Sequence, residues 1–328
     1  MTAYSIAIVG ATGLVGRAFL QIMEEQQIAV GELRLFASER SKGQSMTYRG
    51  QDYPLDVIRP GSFEGVDYAL FSAGASLSKT HAKQAVQEGA IVIDNSSAWR
   101  MDPMVPLVVP EINLSDAIHA RLIANPNCST IQAVLPLAVL DQLYHVKQVE
   151  YNTYQAVSGA GQKGLDDLIT TQKGQPHTHF PVDISKTVIP QIDVFLEDDY
   201  TKEERKMIEE TRKILHRPDL PISATCVRVP VAHSHAVSIR VTLERPFDVS
   251  EIRNVFSQSP GIVLKDNPTN LEYPTSLDAT GSNDVFVGRL RRDTIDPLAL
   301  LLFVVADNIR KGAAWNAVQI MMELMSHE

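Results

Sequence analysis

The start of the chain carries the pattern that most restricts the fold. Residues 5–9 form a short apolar run typical of a buried parallel strand, the turn GATGLVG follows at 10–16, and a helical run covers 17–26. A strand, a turn with three glycines three residues apart and a helix form the dinucleotide-binding arrangement. The glycines let the backbone approach a pyrophosphate, and the helix N-terminus neutralises its charge. An ordinary tight turn is the less favoured alternative.

The second predicted strand, at 32–37, ends in a basic loop. An NAD site usually has an acidic residue at the end of this strand, where it holds the ribose 2′-hydroxyl. Here Arg40 lies between Ser38 and Ser41 and suits a 2′-phosphate, so the loop favours NADP. Glu39 opposes this interpretation unless its carboxylate points away from the site. A solvated charged loop without a ligand is the alternative.

Two further strands, at 66–71 and 90–94, flank a helix at 77–88 and complete a βαβ unit. Both strands end in small polar residues, and ligands gather at the carboxyl ends of parallel strands. Arg100 follows the second of these strands and is a candidate anion-binding residue. A surface arginine in a salt bridge is the simpler interpretation of Arg100 by itself.

The composition limits the class of protein. A chain of 328 residues is long for one core, so two domains are expected. The net charge of −9 argues against nucleic acid or an anionic membrane as a general partner. Two cysteines form no disulfide framework and suit a reducing, cytoplasmic location, and the start of the chain has no basic region typical of a signal peptide. The apolar run 298–305 is far shorter than the roughly 20 residues that span a bilayer.

A polar, proline-containing turn at 123–128 ends in Cys128, and an apolar run follows at 131–143. Either Asn127 or Cys128 can act as the N-cap of a helix, which places the thiol at the helix N-terminus. The unpaired N–H groups and the helix dipole there favour an anion, so the thiol pKa should fall and the thiolate should be a nucleophile. A buried small residue is the alternative for Cys128.

The next strand and the next helix carry polar side chains that could bind a substrate. A strand at 149–157 carries Gln155, which could bind a carboxylate, steady the cysteine or be an ordinary polar strand residue. A helix at 201–215 places Glu203 and Lys206 three residues apart on one face. An exposed ion pair is the simpler interpretation of these two. The alternative is a site that recognises both an ammonium and an anion.

Two histidines, His233 and His235, lie in a polar break between strands at 223–231 and 236–243. With the strand residue Arg228 beside them, they suggest an acid/base group and an anion site. Cys226 is in the middle of a strand without a helix cap, so we interpret it as a core residue. A final helix reaches residue 325 and is expected to return to the first domain.

Together these segments resemble the bacterial aspartate-β-semialdehyde dehydrogenases over essentially the whole chain. The matching motifs are GATGLVG (10–16), ASERS (37–41), DNSSAWRMD (94–102), NPNCSTIQ (125–132), QAVSGAG (155–161), KEERKMIEETRKIL (202–215), ATCVRVPV (224–231) and DNIRKGAAWNAVQ (307–319). The expected fold is α/β: a Rossmann-type NADP-binding domain at 1–126 plus 310–328, and a glyceraldehyde-phosphate-dehydrogenase-like α+β domain with a mixed sheet at 127–309, for catalysis and dimerisation.

The resemblance implies a role for each matching residue. Cys128 is the nucleophile, His235 the acid/base group and Gln155 a residue that places the acyl group, while Arg228 binds the substrate carboxylate. The family usually has serine after this histidine, and here Ala236 follows, with His233-Ser234 two residues earlier. Substrate contacts are implied at Arg100, Asn127, Glu203, Lys206 and Arg228; cofactor contacts at Gly10, Thr12, Gly13, Leu14, Val15, Ser38, Arg40, Ser41, Ser158, Gly159 and Asn308; and no metal site is implied.

The implied reaction is the NADPH-dependent reductive dephosphorylation of β-aspartyl phosphate to aspartate-β-semialdehyde through a cysteine thioester. It belongs to lysine, threonine, methionine and isoleucine biosynthesis. In this scheme His235 takes the thiol proton and later returns one. The family also implies a homodimer or a dimer of dimers.

Three alternatives stay open at this point. N-acetyl-γ-glutamyl-phosphate reductase uses the same chemistry on an acylated amine, for which a carboxylate at 203 would serve no purpose. Glyceraldehyde-phosphate dehydrogenase is less favoured because its Ser-Cys-Thr-Thr signature is absent. A catalytically silent NADP-binding paralogue would be expected to have lost residues such as Cys128, Arg228 and His235, which are all present.

Overall fold

The computed structural model describes residues 3–327, and these divide into two compact units. The first unit runs to Pro126 and resumes at Ala313, and the second is Asn127–Gly312. The sequence placed these boundaries at 126/127 and 309/310.

The first unit consists of seven strands and four helices, with 3₁₀ turns at Glu39–Ser41 and Leu114–Ala117. The strands are β1 (Tyr4–Val9), β2 (Val30–Phe36), β3 (Ser45–Tyr48), β4 (Gln51–Asp56), β5 (Tyr68–Phe71), β6 (Ile91–Asp94) and β7 (Leu122–Ala124). The helices are α1 (Leu14–Glu25), α2 (Ala75–Gln87), α3 (Pro110–Asn113) and the C-terminal α9 (Trp315–His327).

These strands form one sheet in the order β3-β4-β2-β1-β5-β6-β7, in which only the β3–β4 pair is antiparallel. The strands β1 and β5 are buried along nearly their whole length, as expected for a parallel sheet with helices on its faces. The helix α9 contacts α1 and β6 and is grouped with the first unit. The Rossmann-type fold is confirmed by the parallel sheet.

The second unit has six strands and five helices, with 3₁₀ turns at Val157–Ala160 and Pro268–Asn270 and a π-helix at Arg310–Ala314 that runs on into α9. The strands are β8 (Val146–Gln155), β9 (Ile222–Arg228), β10 (His235–Leu243), β11 (Ile262–Leu264), β12 (Val285–Arg292) and β13 (Ala299–Ala306). The helices are α4 (Cys128–Tyr144), α5 (Gln162–Gln172), α6 (Lys202–Ile214), α7 (Val249–Phe256) and α8 (Ser276–Ala279).

The sheet of the second unit is mixed, as predicted. Its order is β11-β12-β13-β10-β8-β9, with parallel pairs only at its two edges. Side chains of β8 alternate between a buried and an exposed face. Tyr151, on the buried face, bonds Thr211 of α6 through its hydroxyl.

The helix α4 is the central element of this unit. Residues 129–138 are all buried, including Pro136 in the interior of the helix, and the helix contacts α6 as well as β8 and β10. This N-terminal part has no solvent-facing side, so burial holds the helix N-terminus in place. That N-terminus carries Cys128.

Between residues 3 and 327 no helix is both long and apolar enough to cross a membrane. Over the same range, the His, Cys, Asp and Glu side chains form no group of three or more that could hold a metal ion.

Candidate active site

The glycine turn after β1 forms one side of an open cleft in the first unit. Gly10 has a φ of +83°, which favours glycine, and a Cβ on Gly16 would lie 2.2 Å from the carbonyl oxygen of Gly10. The cleft lies at the carboxyl ends of β1, β2 and β5, where the strand order reverses. It is lined by Val9, Gly10, Thr12, Gly13, Phe36, Ala37, Ser38, Ile58, Ser72, Ala73 and Leu77.

These residues fit a bound dinucleotide. Gly13 is the N-cap of α1 and has no capping side chain, and Leu14 and Val15 form its first turn, so backbone N–H groups there can meet a pyrophosphate. Gly10, Thr12, Gly13 and Ser38 are brought together as predicted.

The loop after β2 leaves its arginine available for an anion. Arg40 and Ser41 belong to the 3₁₀ turn, and Arg40 is exposed. Arg40 makes no ion pair with any residue between 3 and 327, whereas Glu39 lies 3.9 Å from Lys42. The counter-indication from Glu39 is therefore weaker than the sequence suggested.

Arg100 is a buried residue rather than a surface arginine. Its Nε donates to the carbonyl oxygen of Asn125 at 3.0 Å, and Nη2 donates to that of Asn95 at 2.8 Å. The guanidinium is thus fixed by backbone at the carboxyl ends of β6 and β7.

A buried carboxylate organises the loop that carries Arg100. Asp94 accepts hydrogen bonds from the Ser78 hydroxyl and from the Ser96 backbone N–H at 2.7 Å, and Trp99 Nε1 donates to the Ser78 hydroxyl at 2.9 Å. Burial raises the pKa of Asp94 despite these bonds and the nearby Arg100. The loop therefore depends on a polar network inside the first unit.

Cys128 is the first residue of α4, so the predicted helix-terminal position is confirmed. Asn127 is the N-cap: its Oδ1 accepts from the N–H groups of Ser129 at 2.9 Å and Thr130 at 3.2 Å. Cys128 is half-buried, and a Cβ added to Gly312 would lie 2.9 Å from the Cys128 Cβ.

Glu203 joins three of the predicted site residues. Its Oε1 accepts from Asn127 Nδ2 at 2.9 Å and Gln155 Nε2 at 3.3 Å, while Oε2 lies 3.0 Å from Lys206 Nζ. Glu203 is only 4% exposed, so the simpler interpretation of an exposed ion pair is wrong. Burial by itself would raise the pKa of Glu203, but Lys206, Asn127 and Arg228 together hold it below its usual value.

Lys206 has a second anionic partner that the sequence did not indicate. Its Nζ lies 3.0 Å from Asp193 Oδ2, and Asp193 adopts a φ of +67°. Burial opposes the charge on Lys206, but the two carboxylates raise its pKa overall. Lys206 is therefore a fixed cation between two carboxylates.

Arg228 and His235 both meet the loop after β8. Arg228 ends β9, is 5% exposed and donates from Nη1 to the carbonyl oxygen of Ala156 at 2.7 Å. Burial lowers the pKa of Arg228, while the charges of Glu203 and Cys128 oppose that shift.

The ring of His235 is wholly buried at the start of β10. Its Nδ1 accepts a hydrogen bond from the Ala156 N–H at 2.9 Å, which places the proton of the neutral ring on Nε2. Nε2 has no hydrogen-bond partner among residues 3–327. Burial, and then the charge of Arg228, hold the pKa of His235 well below its usual value.

Gly159 lies against both side chains. A Cβ added there would lie 2.7 Å from Arg228 Nη1 and 3.0 Å from His235 Nε2. His235 is therefore the histidine that meets Arg228 at this loop.

Ser158 of this loop bonds Asn308, which follows β13, and both residues are predicted to contact the cofactor. Asn308 Oδ1 accepts from the Ser158 hydroxyl at 3.1 Å and from the Ser234 N–H at 3.0 Å. These bonds fix the carboxamide with its Nδ2 pointing away from Ser158 and Ser234.

Comparison with known proteins gives the family. The chain matches the model of the semialdehyde dehydrogenase NAD-binding domain over residues 5–120 and that of the semialdehyde dehydrogenase dimerisation domain over 136–311. An aspartate-semialdehyde dehydrogenase of Aquifex aeolicus is 50% identical, with 97% of this chain and 96% of that protein covered. That of Bacillus subtilis is 45% identical, with the same two shares covered.

Solved structures agree with this relationship. The crystal structure of aspartate semialdehyde dehydrogenase II from Vibrio cholerae has a TM-score of 0.95, 40% identity and 99% coverage of each chain. A structure of the same enzyme complexed with ASA matches equally well, with a TM-score of 0.95. The chain belongs to the semialdehyde dehydrogenase family.

Proposed function

We propose that this protein is an aspartate-semialdehyde dehydrogenase, which reduces β-aspartyl phosphate to aspartate-β-semialdehyde with NADPH. The observation that carries the proposal is the cluster of the buried Glu203 and Arg228 with the half-buried Lys206, in the unit that presents Cys128 at a helix N-terminus. The names of its relatives support the same substrate.

Charge complementarity explains the choice of substrate. β-Aspartyl phosphate has an α-carboxylate, an ammonium group and a phosphate. We assign the carboxylate to Arg228, the ammonium to Glu203 and the phosphate to Lys206 and Arg100. Asn127 stays a predicted phosphate contact, although its side chain caps α4 and bonds Glu203.

In the first chemical step the Cys128 thiolate forms a bond to the acyl carbon and the bond to phosphate breaks. Phosphate leaves and takes a proton from solvent. Gln155, which donates to Glu203 and to Thr153, is proposed to help place the acyl group. The backbone N–H of Cys128 at the start of α4 is a candidate donor to the oxyanion.

In the second step, bound NADPH supplies the hydride that reduces the acyl group. The tetrahedral oxyanion on Cys128 then collapses, the carbon–sulfur bond breaks, and aldehyde and thiolate are released. Residues proposed to hold the cofactor are Gly10, Thr12, Gly13, Leu14, Val15, Ser38, Arg40, Ser41, Ser158, Gly159 and Asn308. Arg40 is the proposed contact for the 2′-phosphate of NADP.

The hydrogen bonds of His235 favour a role as a donor. Because Nδ1 is occupied by the Ala156 N–H, the resting ring has no free acceptor for the thiol proton. We propose that Nε2–H instead donates to the oxyanion on Cys128, and that the thiol proton goes to solvent. This revises the proton transfer expected from the family resemblance.

The six-stranded sheet offers a surface for a second copy of the chain. On the face of β8 opposite α6, Asn152 is exposed and Tyr154 is 42% exposed, with its ring 6.1 Å from Phe303 of β13. We propose a homodimer through this face, consistent with the matched dimerisation model. A dimer of dimers is the alternative, and light scattering after size exclusion separates the two assemblies.

The activity test is phosphate-dependent reduction of NADP⁺ with aspartate-β-semialdehyde, followed by absorbance. We expect turnover that is lost in Cys128→Ala and mostly lost in Cys128→Ser, because an alkoxide forms far less readily than a thiolate. Turnover with N-acetyl-glutamate-γ-semialdehyde instead would assign the protein to the related reductase. Full activity of Cys128→Ala would refute the covalent route.

A further inference from the structure

One face of α6 contacts the residues around the nucleophile at three points. Glu203 accepts from Asn127 Nδ2, Met207 Sδ lies 3.6 Å from the Thr130 hydroxyl, and Glu210 Oε2 accepts from the Asn127 N–H at 2.6 Å. Positions 203, 207 and 210 are spaced four and three residues apart, so they share one side of the helix. Only the first of these contacts belongs to the substrate site proposed above.

Glu210 is a buried carboxylate that the proposed mechanism does not use. It is 1% exposed, and its hydrogen bond to Asn127 is short for a backbone N–H donor and a carboxylate oxygen. A buried carboxylate is costly unless it is hydrogen-bonded or paired, and the Asn127 N–H supplies one such hydrogen bond to Glu210.

That contact completes the hydrogen bonding of Asn127. Its N–H donates to Glu210, its carbonyl oxygen accepts from the Ile131 N–H at 3.0 Å, and its side chain both caps α4 and bonds Glu203. Neither of the two peptide groups that flank Asn127 can therefore rotate without losing a buried hydrogen bond. A Cβ added to Gly312 would lie 2.9 Å from the Cys128 Cβ, so there is no room for a larger residue at 312.

We propose that Glu210 is a positioning residue for the nucleophile, because its carboxylate fixes the N–H of Asn127, the N-cap of α4, and so the position of Cys128 in the first turn of the helix. This role rests on the proposed function, since it concerns the residue that attacks the acyl phosphate. Loss of the contact would let the first turn of α4 shift and move the thiolate away from the N–H groups and helix dipole that stabilise it.

Three matched variants separate the hydrogen bond from the charge. Glu210→Gln keeps an acceptor oxygen at the same distance from the helix backbone. Glu210→Asp keeps the charge, but its side chain is one methylene too short to reach the Asn127 N–H. Glu209→Gln, on the same helix and only half-buried, is the control. Three quantities are measured for each variant: kcat and KM for the aldehyde, the rate of Cys128 alkylation by iodoacetamide between pH 6 and 9, and the free energy of unfolding in urea. Mass spectrometry identifies the alkylated peptide.

We expect Glu210→Asp to lower kcat about 10- to 100-fold, since a displacement of about 1 Å has an effect of that size, with KM within about threefold. Alkylation of Cys128 at pH 7 should slow about tenfold, which corresponds to a rise of one unit in the thiol pKa. Glu210→Gln and Glu209→Gln should stay within about threefold of the unmodified protein in both assays.

Unchanged alkylation of folded Glu210→Asp would overturn the proposal and leave a purely structural role. If that variant does not fold, Glu210→Gln decides the question: near-normal kcat and alkylation support the hydrogen bond, and a tenfold fall in both overturns it. Alkylation needs no substrate. A protein that turns over neither aldehyde would therefore refute the proposed function while still testing Glu210.

Discussion

Gly159→Ala places one methyl group where Arg228 and His235 meet. The added Cβ would lie 2.7 Å from Arg228 Nη1 and 3.0 Å from both Nε2 and Cε1 of His235. Neither side chain has an easy way to yield, since His235 is wholly buried and both are bonded to the backbone of Ala156. The methyl must therefore displace the guanidinium, the ring or the loop.

The expected effects on stability and on the catalytic rate follow from that crowding. Inserting a methyl group into a packed site costs about 1–3 kcal/mol of stability, and a displacement of about 1 Å at a reacting group costs about 100-fold in rate. We expect kcat/KM for the aldehyde to fall about 10- to 100-fold, with a smaller change in the free energy of unfolding measured in urea.

The control is Gly31→Ala, because Gly31 is exposed and its added Cβ would meet only Ala3, at 3.3 Å from the Ala3 Cβ. Steady-state rates of NADP⁺ reduction by the two variants should differ by at least tenfold. Normal kcat/KM in Gly159→Ala would mean that Arg228 and His235 do not require their observed positions.

Two further predictions concern single groups. Asn127→Asp keeps the helix cap but replaces the donor to Glu203 with a second carboxylate. We expect the free energy of unfolding in urea to fall by about 1.5–3 kcal/mol and kcat to decrease. Unchanged stability would contradict the contact between Asn127 and Glu203. The second is a dependence on pH. Because burial and Arg228 hold the pKa of His235 well below its usual value, the unfolded chain binds the proton first. Stability should therefore fall as the pH decreases from about 6.5 towards the folded-state pKa, and His235→Asn should flatten this part of the profile. An equal acid dependence in both proteins would show that His235 does not contribute.

Local patterns were enough to place Cys128 at the start of a helix. The turn before Cys128 and the apolar run after it specify a helix start, and the Asn127 cap forms with residues two and three positions away. The same reasoning identified the glycine turn that precedes α1. Such features depend on spacing along the chain, and the sequence displays spacing directly.

The partners of these residues were harder to predict. Glu203 and Lys206 were correctly paired from their spacing, but their burial depends on the packing of α6 beside α4. Asp193 and Glu210 contact site residues 13 and 83 positions away in the chain, and no local signal marks those contacts. The Ala156 N–H, which determines the tautomer of His235, lies 79 positions from it and has no side-chain signature at all.

Chemical labelling of Cys226, the second cysteine, can report on local opening of the six-stranded sheet. Cys226 is wholly buried in β9, at one edge of the six-stranded sheet, and burial raises the pKa of its thiol far above the usual range. A thiol reagent should therefore modify Cys128 in the native state and reach Cys226 only when β9 separates from β8 or from α6. Once Cys128 is blocked, slow labelling of Cys226 measures how often that edge opens. Because α6 carries Glu203, Lys206 and Glu210, the same measurement shows whether a bound ligand makes those openings rarer.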